Sequence, residues 1–177
     1  MGKKTAIVVA CAFALSGCNI IEDMIADKVS EKVAEEVIEN ALENEGGGKA
    51  DVDLSSGQVN VKTDKGSFSS GGNGEAKVPD SFPDDVTLPK NAKVRMAIDG
   101  ESGINVTLES EETPDAIASF VKDDAKKNNW VQKSAADIGH AQLLVLEKDG
   151  RTLSVTVGSD KQGKSTMIMY NMQKAKK

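Results

Sequence analysis

The chain has 177 residues, with 22 Lys and Arg against 28 Asp and Glu, for a formal net charge of -6. Nucleic acids and anionic lipid surfaces repel such a chain, which excludes nucleic-acid binding and purely electrostatic membrane adhesion. With His140 as its one histidine and Cys11 and Cys18 as its two cysteines, it cannot build a His metal cluster. A serine triad would depend on that single imidazole, and there is no Gly-x-Ser-x-Gly turn to present a nucleophile.

The N-terminus reads first. Lys3 and Lys4 precede an apolar run from Ala6 to Leu15, and Leu15-Ser16-Gly17-Cys18 follows. A charged start, a short apolar core and small residues describe a secretory signal, and the run is too short to span a bilayer. The Leu-Ser-Gly-Cys ending resembles the lipobox of bacterial lipoproteins. That resemblance implies a diacylglyceryl group on the Cys18 thiol, cleavage before Cys18, and acylation of the new amine with a fatty acid such as palmitate. Two or more acyl chains, at about 0.8 kcal/mol per buried methylene, hold a protein stably on a membrane. Asn19 rather than Asp follows the cysteine, which by the same resemblance implies the outer membrane, facing the periplasm, where the organism has two membranes. Cys11 would leave with the signal and Cys18 would carry lipid, so the mature chain would have no thiol for a disulfide, a metal or catalysis.

From Ile20 to Asn44 the chain is rich in helix formers and free of Gly and Pro, until Gly46-Gly47-Gly48 stops it. Ile21, Ile25, Val29, Val33, Val37 and Ala41 recur every fourth position. Each step gains roughly 40° on a helix of 3.6 residues per turn, so the stripe winds around the rod and makes no heptad seam. This segment is a stalk lifting a domain off the membrane, or a docking helix for an envelope protein. Val52 and Leu54, Val59 and Val61, then Phe68 alternate with polar residues between Ser55-Ser56-Gly57 and Asp64-Lys65-Gly66, which predicts a small β-meander. Ser69 to Gly74, with Glu75-Ala76-Lys77 behind it, reads as flexible linker. Pro79, Pro83 and Pro89 make an extended lead-in.

The main domain follows. Val94, Met96 and Ile98 alternate, as do Ile104, Val106 and Leu108 beyond Asp99-Gly100, so two strands form a hairpin. Thr113 caps a helix with Pro114 in first position, Asp115 in the first turn, and Ile117, Phe120, Val121 and Ala125 on its buried face. Asn128-Asn129 ends it. Strands are predicted at Trp130 to Lys133, at Leu143 to Leu146 and Leu153 to Val157 about an Asp149-Gly150 turn, and at Met167 to Met172. The predicted fold class is α+β: an N-terminal helical stalk, a small β-meander, then an antiparallel sheet with one packed helix in a ββαβββ-like order. The predicted division is 1-17 signal, 18-45 lipidated Cys and stalk, 46-77 β module and linker, and 78-177 α+β domain, the last able to fold alone.

The lead-in from Val78 to Pro89, the Thr113-Pro114 helix and the Trp130 strand are similar to a recurrent domain of uncharacterised bacterial lipoproteins, across approximately half the chain. The helix-on-sheet order is also similar to domains of accessory lipoproteins in outer-membrane assembly machinery, by fold alone. Neither resemblance carries a chemistry.

Four motifs reduce to structure. Gly158 to Ser165 fits the phosphate-loop pattern, but Thr166-Met167-Ile168-Met169-Tyr170 reads as a strand where that loop needs a helix, so a hairpin turn is expected. Asp51-Val52-Asp53-Leu54-Ser55 begins like a calcium loop, yet Ser56 replaces the needed Gly and Lys62 the bidentate Glu. Met167, Met169 and Met172 are packing residues on alternating faces rather than a soft-metal site. His140 is a loop or sheet-edge residue. No metal, nucleotide or other cofactor is expected, and no catalytic residue. The reading is a non-enzymatic envelope lipoprotein presenting a protein-interaction domain. Its alternative is a carrier of a small apolar ligand between helix and sheet, with Phe120 and Trp130 as the contacts for ligand or partner.

Overall fold

The computed structural model describes residues 31–44, 49–54, 58–72, 75–160 and 163–173. The signal, Cys18, the first part of the 20-44 helix and the basic tail Lys174, Lys176 and Lys177 lie outside the described residues. In chain order come α1 (Glu31–Asn44), β1 (Ala50–Asp53), β2 (Val59–Thr63), β3 (Gly66–Ser70), β4 (Lys93–Gly100), β5 (Gly103–Ser110), α2 (Pro114–Lys127), β6 (Val131–Asp137), β7 (Ala141–Lys148), β8 (Arg151–Ser159) and β9 (Thr166–Gln173). The strands form one antiparallel sheet in the order β1-β2-β3-β4-β5-β9-β8-β7-β6. The described residues thus form a large antiparallel sheet with two helices, an α+β architecture.

Four strands follow α2 at the four segments predicted, one more than the ββαβββ-like order counts, and β6 runs past Lys133 to Asp137 and pairs with β7. The expectation that changes is the meander as a module of its own: β3 pairs with β4 from Ser67↔Asp99 to Ser70↔Met96 and extends the same sheet. Ser69 and Ser70, expected in a linker, belong to β3. Composition misled here because hydrogen bonds do the work of apolar contact. Buried Ser69 donates its hydroxyl to Asn60 Oδ1 at 2.7 Å and accepts Lys77 N at 2.8 Å, while Gly71 N donates to Arg95 O.

Alternation builds the core. The register Val106↔Tyr170↔Val155↔Leu144 lays four buried side chains in a row across β5, β9, β8 and β7, and Ile104↔Met172↔Leu153↔Leu146 lays a second. Ile117, Val121 and Ala125 of α2 close over this face at a spacing of four. Thr113 Oγ1 accepts Ala116 N at 3.3 Å, Pro114 stands in the first turn, and Asn128 is the C-cap, so both predicted helix ends are in place. The next residue, Asn129, takes a positive φ of 60°, the left-handed conformation that Asn tolerates after a helix. Asp149 and Gly150 both have positive φ, 50° and 74°, as the two-residue β7–β8 turn requires.

The proline-rich lead-in covers the rest of the core. Val78, Phe82, Leu88 and Ala92 pack against it, and Phe82 meets Tyr170 edge-on with centroids 6.4 Å apart. A charged clamp fastens this segment to the β7–β8 hairpin. Arg151 donates to both Asp85 carboxylate oxygens at 3.0 and 2.7 Å, Lys148 Nζ donates to Oδ2 at 2.7 Å, and Trp130 Nε1 donates to the Asp85 carbonyl at 2.9 Å. Lys148 also reaches Asn128 O at 2.7 Å, and the Arg151 guanidinium lies 4.9 Å over the Trp130 ring.

At the other end α1 packs on β1. Its polar side does so: Glu35 Oε1 accepts Leu54 N and Glu39 Oε1 accepts Val52 N, each at 2.9 Å. Two carboxylates one helical turn apart thereby occupy alternate outward amides of an edge strand. Val33, Val37 and Ala41 of the expected stripe are exposed, as is Ile38, while Ile21, Ile25 and Val29 lie outside the described residues.

Candidate functional site

Two places on the core side of the sheet merit comparison. The first is the space between α2 and the sheet, expected to hold an apolar ligand in the carrier reading. Val86, Val121, Asp124, Ala125, Trp130, Leu146, Leu153 and Tyr170 surround it and leave a cavity of about 10 Å³. That is room for about one water molecule. Trp130 is 5% exposed and belongs to the core, so in this conformation it offers no contact surface; Phe120 packs partly buried against the same cluster. The aromatics that sequence reasoning missed are Tyr170, beneath the helix, and Phe82 of the lead-in, which packs edge-on against it. Tyr170 sits between Ile168 and Met172 in the β9 alternation, a pattern that could have named it. Its hydroxyl has no hydrogen-bond partner among the described residues. Burial first, and then the Asp124 carboxylate, push its pKa well above the ordinary phenol value.

The second place is a polar groove on β1–β3. Cross-strand register shows how it arises. Buried Ala97 faces Ser69, Ser69 faces Asn60, and Asn60 faces Asp53; Ile104 faces Asp99, Asp99 faces Ser67, Ser67 faces Lys62, and Lys62 faces Asp51. The sheet face that is apolar from β4 onward is therefore polar across β1–β3, and Val52, Val61, Phe68 and Ile98 turn to the other face. With the 77–81 segment as one wall and the β2–β3 and β4–β5 turns at one end, this face forms a groove of about 820 Å³. That size lies within the range of small-molecule sites. Asp51, Asp53, Asp64, Asp80, Asp99 and Glu101 line it against Lys62, Lys65 and Lys77, so its balance is acidic. Ser81 donates to Asp99 Oδ2 at 2.6 Å and ties wall to floor, while Asn60 Nδ2 is buried without an acceptor among the described residues.

The remaining motifs fall where chemistry is not assembled. Gly158 and Ser159 end β8, Thr166 begins β9, and Asp160 organises the turn between them. Its Oδ1 accepts Lys164 N at 2.7 Å and Ser165 N at 3.4 Å, and its own amide donates to Ser165 O. A carboxylate thus holds the amides that a phosphate would need. His140 is exposed in the β6–β7 turn, Asp51 and Asp53 lie on β1, and Met167 and Met169 share the face opposite Met172. Among the described residues no group of three or more His, Cys, Asp or Glu could hold a metal ion, and no helix is long and apolar enough to cross a membrane.

A family model described as START domain-like matches residues 91–163, which takes in β4, β5, α2, β6, β7 and β8. Neither a curated protein nor a solved structure matches the chain. The match stops short of β1–β3 on one side and of β9 on the other, so the chain is similar to START domain-like proteins over the β4–β8 segment with α2.

Proposed function

We propose that this chain is a non-enzymatic envelope lipoprotein, held on a membrane by lipid on Cys18, whose sheet domain binds a partner protein segment in the groove of β1–β3. The observation that carries this reading is the contrast between a groove of about 820 Å³ on β1–β3 and a helix–sheet space of about 10 Å³. The acidic balance of the lining favours a segment bearing Lys or Arg, since complementary charge directs encounter and orientation. The test places a photo-crosslinking residue at Ser67, in the groove, and at exposed Asp123 of α2 as control, in whole cells. A protein adduct specific to Ser67 is expected; equal adducts at both positions would overturn the reading. Cys18→Ser is expected to leave the chain as a precursor or in the soluble fraction, and unchanged membrane partition would refute the anchor.

A second reading is the apolar-ligand carrier, favoured by the START domain-like match, which points toward a ligand-binding domain, and by the unpartnered Tyr170 hydroxyl beneath α2. It requires α2 to swing away from the sheet. A photo-crosslinker at Val121 yielding a small-molecule adduct, with none at Ser67, would replace the first reading by this one.

A further inference from the structure

β9 finishes beside the groove of β1–β3. The β2–β3 and β4–β5 turns make one end of that groove, with Asp64, Lys65, Gly66, Gly100 and Glu101 in its lining. Gly100 pairs with Gly103, just past the β4–β5 turn, and Gly103 pairs in turn with Gln173 at the end of β9. Neighbouring strands lie about 4.8 Å apart, so Gly100 is about 10 Å and Gly66 about 14 Å across the sheet from Gln173. The hydrogen bond from Ser81 to Asp99 brings Asp80 to the same end. Asp64, Asp80 and Glu101 are all exposed there.

Lys174, Lys176 and Lys177 follow Gln173. Two turns flank their point of departure, since Gln173 pairs with Gly103 on one side and with Thr152 on the other. Charge decides between them. Toward Thr152, Lys148 and Arg151 are matched by Asp85 and Asp149. Toward Gly103, six carboxylates line the groove against three lysines, an excess that the three further lysines balance. From Gln173 the backbone of Lys177 can travel at most about 14 Å. With its side chain added, that reaches Glu101, Asp80 and Asp64 but falls short of Asp51 and Asp53 on β1, about 24 Å away across the sheet.

We propose that the segment carrying Lys174, Lys176 and Lys177 folds back over the β4–β5 turn and seats on Glu101, Asp80 and Asp64, covering that end of the groove from within the chain. The inference rests on the reading of the groove as a site for a basic segment and adds a regulator to it. The tethered lysines compete with the partner's Lys or Arg for the same carboxylates. A tether this short holds them at an effective concentration on the order of millimolar, so individually weak surface pairs suffice. A partner segment must bring enough basic charge to displace them, which raises the threshold for entry and sharpens discrimination among partners.

The experiment uses the full chain. A carbodiimide joins lysine amines to carboxylates that touch them, and mass spectrometry of the digest locates the links. Asp149 is the control, because its turn flanks Gln173 as closely as that of Glu101 and its side chain is 78% exposed. In a mixture of isotope-labelled and unlabelled chains, links from the three lysines to Glu101, Asp80 and Asp64 should join peptides of one label and outnumber those to Asp149 at least about fivefold, a ratio that 1 M NaCl brings toward one. Equal linking to Asp149, or links that join the two labels at random, overturn the seat. Competition is read with a fluorescent hexalysine peptide. Changing Lys174, Lys176 and Lys177 together to Ser should tighten its binding about fivefold, whereas Lys90→Ser with Lys126→Ser and Lys127→Ser, exposed lysines outside the groove, removes equal charge and should not. Equal binding by both triple variants overturns the competition and leaves the groove reading standing; no binding by any chain overturns both.

Discussion

Protonating or removing Asp85 should loosen the lead-in from the β7–β8 hairpin. Hydrogen bonding from Arg151, followed by a smaller opposing effect of burial and a further hydrogen bond from Lys148, sets its pKa at about 2 against an ordinary 3.8. Because the folded value is the lower one, the clamp is fully present above about pH 4 and is lost as pH falls from there through about 2. A shift of nearly two units corresponds to between about 2 and 3 kcal/mol at 1.36 kcal/mol per unit. The carboxylate side chain is 26% exposed, so that figure is an upper bound. Asp85→Asn should cost on the order of 1 to 2 kcal/mol at pH 7, and the melting temperature should fall by roughly 2 to 8 °C. Urea unfolding of both chains at half-unit steps from pH 7 to pH 2 would measure it. The two stability curves should converge as pH falls. Parallel curves throughout would refute the clamp, since whatever then titrates in acid is not Asp85.

Trp130→Ala should cost about 3 to 5 kcal/mol, because a nearly buried indole leaves both a cavity and an unmatched Asp85 carbonyl; Trp130→Phe should recover most of that, and thermal unfolding separates the two. In the β8–β9 turn, Lys164→Ala should change stability by no more than about 0.5 kcal/mol, since only its amide is used, whereas Asp160→Ala should cost about 1 kcal/mol by freeing two amides. Nucleotide binding that vanished in Lys164→Ala would overturn the turn reading. Glu35→Gln with Glu39→Gln should leave exchange at Val52 and Leu54 amides slow, while the paired alanine variants should speed it at least about tenfold; unchanged exchange in the alanine chain would mean α1 does not cover β1.

Legibility of the fold followed the strength of local signals. Thr113-Pro114, Asn128-Asn129 and Asp149-Gly150 act through their own backbone geometry, and both ends of α2 and the β7–β8 turn lie where those residues put them. β3 was harder to read because Phe68 is its only large apolar residue, and what holds Ser69 is a hydrogen-bonded chain to Asn60 and Lys77 that no periodicity reports. The groove was hidden for a related reason. Alternation in β1–β3 says that one face is apolar, but only the pairing of Ser69 with Ala97 reveals that this face is turned away from the core. Glu35 and Glu39 looked like a solvated surface because an acidic helix positions its carboxylates without regard to the sheet edge they will meet.

Seven of the eight strand pairings join neighbours in the chain; only β5–β9 joins distant segments, Gly103–Ser110 with Thr166–Gln173. The sheet is therefore two meanders, β1–β5 and β6–β9, sewn by one seam with α2 as the thread between them. Local pairings close small loops quickly, and the seam must wait for the two halves to meet. Folding speed should accordingly be governed by Val106 and Tyr170, which face each other across that seam, and a substitution there should slow folding where one in β1–β2 would only hasten unfolding.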